Sequence, residues 1–279
     1  MRLRASKVGK PLTVQKAVNR VLLGLMLVMG CALPASALSL EELTPYFSAQ
    51  YFTWEEYSEG RRLLKESGPL FSAGVLAGFT TRSSWTLRGK GEFFGGQVGY
   101  DGETQGPTVI PVQTDVTYLG TRQELDLGYR VHSGALRIES FGGVGARWWL
   151  RALQDTSTAG QPVSGYSEWW RTAYGRLGAR ARYFQPSGLT CFAEGGAKYP
   201  FYNANSISFA SSGVSTFHPG GKWSGFAESG VSWRRLKATL YYEGFRFSRS
   251  SNVSVGNEQF FQPESSADIF GLSLGWAFR

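Results

Sequence analysis

Along most of this chain apolar and polar residues alternate with a period of two. Side chains of a strand point to opposite faces in turn, so this rhythm predicts strands with one apolar and one polar face. From about residue 45 onward roughly ten such segments can be laid down, and eight or twelve also fit the pattern. Between them the joins alternate between tight and long. The tight joins fall at Thr81–Ser84, His132–Gly134, Gln185–Gly188 and Arg234–Leu236. The long joins fall at residues 58–68, 102–112, 154–165, 205–219 and 250–264. Strict alternation of short turns and long loops predicts an all-β, antiparallel up-and-down transmembrane β-barrel, with the short turns periplasmic and the long loops outside.

Parity sorts the charges. Over residues 135–152, Leu136, Ile138, Val144, Ala146, Trp148 and Leu150 share one face, and Arg137, Glu139, Arg147 and Arg151 share the other. Over residues 166–184, Trp169, Ala173, Leu177, Ala179, Ala181 and Tyr183 oppose Glu168, Thr172, Tyr174, Arg176, Arg180 and Arg182. Arg171 breaks the apolar face beside a long loop, where a cation reaches the headgroups. Asp115 and Gln123 also sit on the apolar parity, which predicts that their strand projects beyond the bilayer. The two segments before residue 81 are the least regular. The stretch from Trp54 to Gly68 has the look of a partly helical connection.

Outward-parity aromatics flank the tight turns: Phe79, Trp85, Tyr129, Tyr183 and Trp233, joined by Trp276 and Phe278 at the end of the chain. Trp148, Trp169, Tyr199 and Phe201 lie toward the long loops. Rings settle where one end meets lipid and the other water, so two interface girdles are expected. Strand propensity alone also enriches aromatics.

Residues 1–20 hold six cations and no acid, an apolar run follows from Val21 to Leu33, and Ala35-Ser36-Ala37 supplies small residues for cleavage. This predicts a cleaved secretory signal over residues 1–37 and a barrel domain over 38–279. The run is shorter than the roughly 20 residues of a spanning helix. Val28-Met29-Gly30-Cys31 offers lipidation at Cys31 as the rival, although a barrel needs no lipid anchor.

The signal distorts the charge. The whole chain is +8, with 29 Lys and Arg against 21 Asp and Glu. Removing the six signal cations leaves 23 against 21, a net +2, and the case for nucleic acid as a partner disappears. Only Cys191 remains after cleavage, on an apolar parity, and no paired-cysteine metal spacing occurs. Neither a cofactor nor a metal is expected. Mean hydropathy is −0.21, mild enough for strands whose other face is polar.

The final strand places Phe270, Leu272, Leu274, Trp276 and Phe278 on one face. A terminal strand of alternating apolar residues ending near an aromatic resembles the small Gram-negative outer-membrane β-barrel proteins. Here Phe278 is second to last and Ser273 stands where a glycine is usual. The resemblance implies a bacterial outer-membrane location, lipid contact and delivery by the barrel assembly machinery. Two enzyme families of similar barrels fail by residue. Omptin proteases use paired aspartates with an Asp–His pair at the outer rim, but His218 has no Asp-x-Asp or Asp-x-His beside it. Lipid A deacylases pair a histidine with a serine two residues on, whereas His132-Ser133 has the wrong spacing and lies at a tight turn. No enzymatic activity is therefore expected.

Two readings of the interior compete. Opposite charges on neighbouring strands pair and plug the lumen, as a barrel of about this strand number is filled by its own side chains. Alternatively, basic clustering at Arg137, Arg147, Arg176, Arg180 and Arg182 lines a narrow anion-favouring pore, with a small anionic solute implied if those arginines are unpaired. The expected role is structural or porin-like. The alternatives are a surface-binding or adhesion protein acting through its loops, and a barrel enzyme of another kind.

Overall fold

A computed structural model describes residues 38–104, 109–158, 160–209, 213–255 and 258–278. The signal segment and Cys31 lie outside the described residues. The strands run in chain order as β1 (Leu38–Ser58), β2 (Arg61–Thr81), β3 (Trp85–Glu103), β4 (Pro111–Ser133) and β5 (Leu136–Leu153). A small hairpin, β6 (Thr156–Thr158) and β7 (Gln161–Val163), precedes β8 (Ser167–Phe184) and β9 (Leu189–Phe209). Then come β10 (Gly213–Phe217), β11 (Gly221–Lys222), β12 (Ser224–Trp233) and β13 (Leu236–Phe247). A second hairpin, β14 (Val253–Val255) and β15 (Glu258–Phe260), leads to β16 (Glu264–Trp276).

Ten of these strands, β1–β5, β8, β9, β12, β13 and β16, form a closed antiparallel up-and-down barrel. Closure comes from β1 pairing with β16, Tyr46 opposite Gly275 and Tyr57 opposite Glu264, so the ten-stranded wall itself has no open edge. β1 begins and β16 finishes at the tight-turn end, tied by the Leu43–Phe278 bridge. β10 extends β9 upward as a hairpin, and β11 continues the line of β12 against β13.

All four tight turns stand where the sequence placed them. Four of the five long joins are corrected, while β3 ends at Glu103 and β4 begins at Pro111 as the join at 102–112 predicts. Residues 58–68 are not a loop, and nothing in them is helical. β1 and β2 run on to a two-residue turn at Glu59–Gly60, where φ is 52° and 80°. Positive φ at both positions is the type I′ geometry that suits twisted hairpins, and glycine adopts it at no steric cost. The joins near 154–165 and 250–264 contain the two short hairpins, and most of 205–219 is β9, β10 and their turn. The strands thus rise well past the outward apolar belt.

One register shift lies between β8 and β9. Ala173 faces Tyr202 while Tyr174 faces Pro200, which leaves Phe201 as the extra residue. Proline has no amide hydrogen for the ladder, so a bulge beside it is the cheapest accommodation. Phe201 and Tyr202 are both exposed as a result.

Parity holds around the barrel. Phe47, Phe71, Phe93, Leu119, Leu127, Val144, Leu177, Leu240, Leu272 and Leu274 are all exposed on the outer face. The buried core lies inside. It includes Phe52, Trp54, Leu70, Phe94, Tyr118, Trp149, Trp170, Tyr174, Phe245 and Phe247. Such burial contributes roughly 1.5–3 kcal/mol per large apolar side chain. In a membrane barrel it also decides whether anything can pass.

Candidate functional site: the barrel lumen

Every inward residue of the barrel faces the lumen, so any conduction or internal binding must use these side chains. They form three layers along the axis.

The turn-end mouth holds Glu41 and Glu42 against Arg130, Arg137, Arg182 and Lys237. Arg130 reaches Glu41 at 2.8 Å, Arg182 reaches Glu42 at 2.9 Å and Lys237 reaches Glu42 at 2.8 Å. Four cations meet two carboxylates here. This mouth encloses a cavity of about 330 Å³, into which Arg137, Arg182, Arg234 and Lys237 open.

The middle layer is a lattice of two adjacent ion-pair networks, one around Glu194 and one around Glu243. Glu194 accepts from Arg88 at 2.6 Å, Arg176 at 2.7 Å and Arg180 at 2.6 Å. Arg176 also bonds Glu124, and Arg180 bonds Asp126 and Glu139. Glu243 gathers Arg122, Arg147 at 3.4 Å and Lys198 at 2.6 Å. Arg122 also meets Glu92 at 3.1 Å, and Glu228 accepts from Arg88 at 3.3 Å with Lys90 at 3.9 Å. The cations of this layer (Arg88, Lys90, Arg122, Arg147, Arg176, Arg180, Lys198) equal the carboxylates (Glu92, Glu124, Asp126, Glu139, Glu194, Glu228, Glu243) in number. Two charges at close range in a low-dielectric interior attract strongly, and hydrogen bonding of the remaining donors and acceptors offsets their desolvation. Two spaces in this layer measure about 40 Å³ and 30 Å³, room for a few waters.

Above lies an aromatic layer. Trp149 and Trp170 stack at 5.4 Å with planes 5° apart, and Trp54 meets Trp170 edge-on at 5.0 Å. Phe247 closes the group at 5.6 Å from Trp170. The guanidinium of Arg147 lies 4.2 Å over Phe94 and joins this layer to the lattice below. At the loop end Arg151, 1% exposed, is surrounded by Glu66, Glu168 at 2.8 Å and Glu56 at 3.9 Å. Trp54 and Trp170 donate their indole N–H to Glu56 at 2.9 Å and Glu168 at 2.7 Å. One cation against three carboxylates makes this end acidic where the mouth is basic.

The five arginines singled out by parity all point inward, but they do not form one cluster. Arg137 and Arg182 belong to the mouth, Arg176 and Arg180 to the lattice, and Arg147 to its boundary with the rings. Each has at least one carboxylate partner, but at the mouth Arg137 and Arg182 share Glu41 and Glu42 with Arg130 and Lys237. Sequence reasoning missed the aromatic layer and the roles of Glu41, Glu42, Glu56 and Glu66. The available signal was the inward parity of Trp149 and Trp170 next to outward Trp148 and Trp169.

The six outward aromatics Trp85, Tyr129, Tyr183, Trp233, Trp276 and Phe278 all stand exposed at the turn end. Trp85 and Tyr129 touch edge-on at 5.5 Å across β3 and β4. Cys191 is half-buried, 3.7 Å from the Gln185 side-chain amide. His218 Nδ1 lies 2.9 Å from the Asn203 carbonyl. Among the described residues no group of three or more His, Cys, Asp or Glu could hold a metal ion.

No family model matches the sequence, and no curated protein does. Solved structures match the fold. The chain is similar to the outer membrane protease OmpT from Escherichia coli, with a TM-score of 0.55 and 11% identity over 86% of this chain and 98% of that one. It is also similar to an outer membrane channel from Pseudomonas putida F1, with a TM-score of 0.41 and 9% identity over 88% of this chain and 100% of that one. The translocator domain of the autotransporter NalP from Neisseria meningitidis gives 0.39 and 12%, over 95% and 98%. At these identities the likeness is one of fold: this chain has the architecture of the Gram-negative outer-membrane β-barrels.

Proposed function

We propose that this protein is an integral, non-enzymatic barrel of the bacterial outer membrane, exported by a cleaved signal over residues 1–37, whose role is structural and whose lumen does not conduct. The observation that carries the reading is the filled interior. A charge-balanced set of ion pairs crosses the barrel, a stacked aromatic layer lies above it, and the spaces among these layers are tens of cubic ångströms, against about 330 Å³ at the turn-end mouth. A pore needs a continuous wet path, and the filling of these layers speaks against one.

The outward apolar belt supports lipid contact. Trp85, Tyr129, Tyr183, Trp233, Trp276 and Phe278 serve as the periplasmic interface ring, and Trp148, Trp169, Tyr199 and Phe201 as the outer one. The terminal strand β16 is the segment offered to the assembly machinery. Support for a non-enzymatic role comes from the histidines: among the described residues neither pairs with a carboxylate, and His132 lies at the turn end.

The test is planar-bilayer conductance of the purified, refolded mature protein. Silence from a barrel with heat-modifiable gel mobility is the expected result. Discrete conductance steps would overturn it. A second reading, display of ligand-binding loops, is favoured by one feature: the strands and their packed interior continue beyond the apolar belt, which holds the outer hairpins on a rigid base.

A further inference from the structure

The turn-end mouth holds more positive charge than its own acids neutralise. Beside the balanced lattice, Arg130, Arg137, Arg182 and Lys237 share Glu41 and Glu42. Arg137 and Arg182 are the surplus. Arg137 stands 3.5 Å from Glu41, which keeps Arg130 at 2.8 Å without it. Arg182 stands 2.9 Å from Glu42, which keeps Lys237 at 2.8 Å without it. Both guanidinium charges can be removed without stranding a carboxylate. Rings hold the cations in place. The Arg137 guanidinium lies 4.3 Å from the Phe184 ring centroid, and Lys237 Nζ lies 4.7 Å from that of Phe192. Arg137, Arg182, Lys237 and both rings line the mouth cavity of about 330 Å³. That size falls within the roughly 300–1,000 Å³ of small-molecule sites.

We propose that this mouth binds a small organic dianion, of the phosphate monoester kind, from the solution at the turn end. The outer-membrane reading above, on which the compartment rests, makes that solution the periplasm. A surplus of two cations matches two negative charges, and a phosphate monoester carries close to two at neutral pH. The planar forks of Arg137 and Arg182 suit its oxygens. A concave wall of one sign concentrates the field on a ligand of the other. The Phe184 and Phe192 rings give an organic substituent an apolar wall, which inorganic phosphate would not use. With a silent lumen, the ligand enters and leaves by the same opening.

The test is isothermal titration calorimetry of the barrel in non-ionic detergent with phenyl phosphate, at low ionic strength because salt screens the attraction. The wild type is expected to bind it at one site, about tenfold tighter than inorganic phosphate or the monoanion phenyl sulfate, the equivalent of roughly 1.4 kcal/mol. Arg137→Gln and Arg182→Gln each weaken binding about tenfold, and the double variant abolishes it. Arg182→Lys keeps part of it, and Arg61→Gln at the loop end leaves it unchanged. Absence of saturable binding by the wild type, or equal binding by the wild type and the double variant, overturns the proposal. Inorganic phosphate binding as tightly as phenyl phosphate also overturns it, because the site would then serve the free ion. Phenyl sulfate binding as tightly does so too, because the second charge would then count for nothing. Heat-modifiable gel mobility shows that each variant is folded. Conductance steps from the wild-type barrel would instead count against the silent lumen and leave the calorimetry intact, so the two failures are distinct.

Discussion

Glu194 carries more of the lumen than any one arginine does. Arg88, Arg176 and Arg180 all converge on its two oxygens, within 2.7 Å. Glu194→Gln keeps the shape and removes the charge, which leaves three buried guanidinium groups short of an anion. Removing one partner of a buried pair costs about 3–5 kcal/mol. A loss of that size is expected in urea unfolding from lipid vesicles, and a loss below about 1 kcal/mol would show that the neighbouring acids suffice. Gly145 tests packing instead of charge. A Cβ there would run into the Tyr174 ring, so Gly145→Ala is expected to cost about 1–3 kcal/mol. Gly89 faces open space, and Gly89→Ala in the same assay should be neutral.

The β1–β2 hairpin shows how an element can differ from its sequence pattern. Below the rim, outward residues are apolar because they meet lipid. Above it they meet water, and Glu55, Arg62 and Lys65 form a salt-bridged outer face. Polar residues then occupy both faces, period-two alternation fades, and a strand reads as a loop. The turn itself depends on backbone freedom. Gly60 has nothing within 4 Å of a Cβ position, so a substitution meets only the φ penalty. Gly60→Val is expected to cost about 1–2 kcal/mol, read as faster amide exchange at the hairpin tip. Unchanged exchange would mean that the turn is not type I′ in solution. At the same tip Arg61 hydrogen-bonds Glu103 at 2.7 Å and holds its carboxyl below the usual carboxylate range. That contribution is present at neutral pH and is lost as the pH falls through the lowered value. Arg61 is exposed and Glu103 only half-buried, so Arg61→Ala should leave the unfolding midpoint unchanged.

Across the whole molecule the lumen is polarised. Its turn-end mouth has an excess of cations, its middle is balanced, and its loop end has an excess of carboxylates. On the proposed non-conducting reading, the lattice and the rings act as two barriers in series. Trp170→Ala removes the centre of the aromatic layer and should destabilise the barrel by roughly 3–5 kcal/mol. It should remain silent in a planar bilayer, because the lattice beneath is untouched. Conductance steps from Trp170→Ala alone would show that the rings are the only seal.

The class of fold, the tight turns and the face of nearly every strand residue are legible along the chain. Lipid on one side and a packed lumen on the other impose a period of two, and that period is local. It also placed Arg137, Arg147, Arg176, Arg180 and Arg182 inside. Tertiary structure decided what they do there. Arg88 meets Glu194 across 106 positions, and Arg122 meets Glu243 across 121. Parity gives a direction, but pairing depends on height and on which strands face one another across the closed barrel. The aromatic layer escaped for a related reason: an apolar residue at inward parity looks like a lapse in the pattern until closure brings Trp54, Trp149, Trp170 and Phe247 together from four different strands.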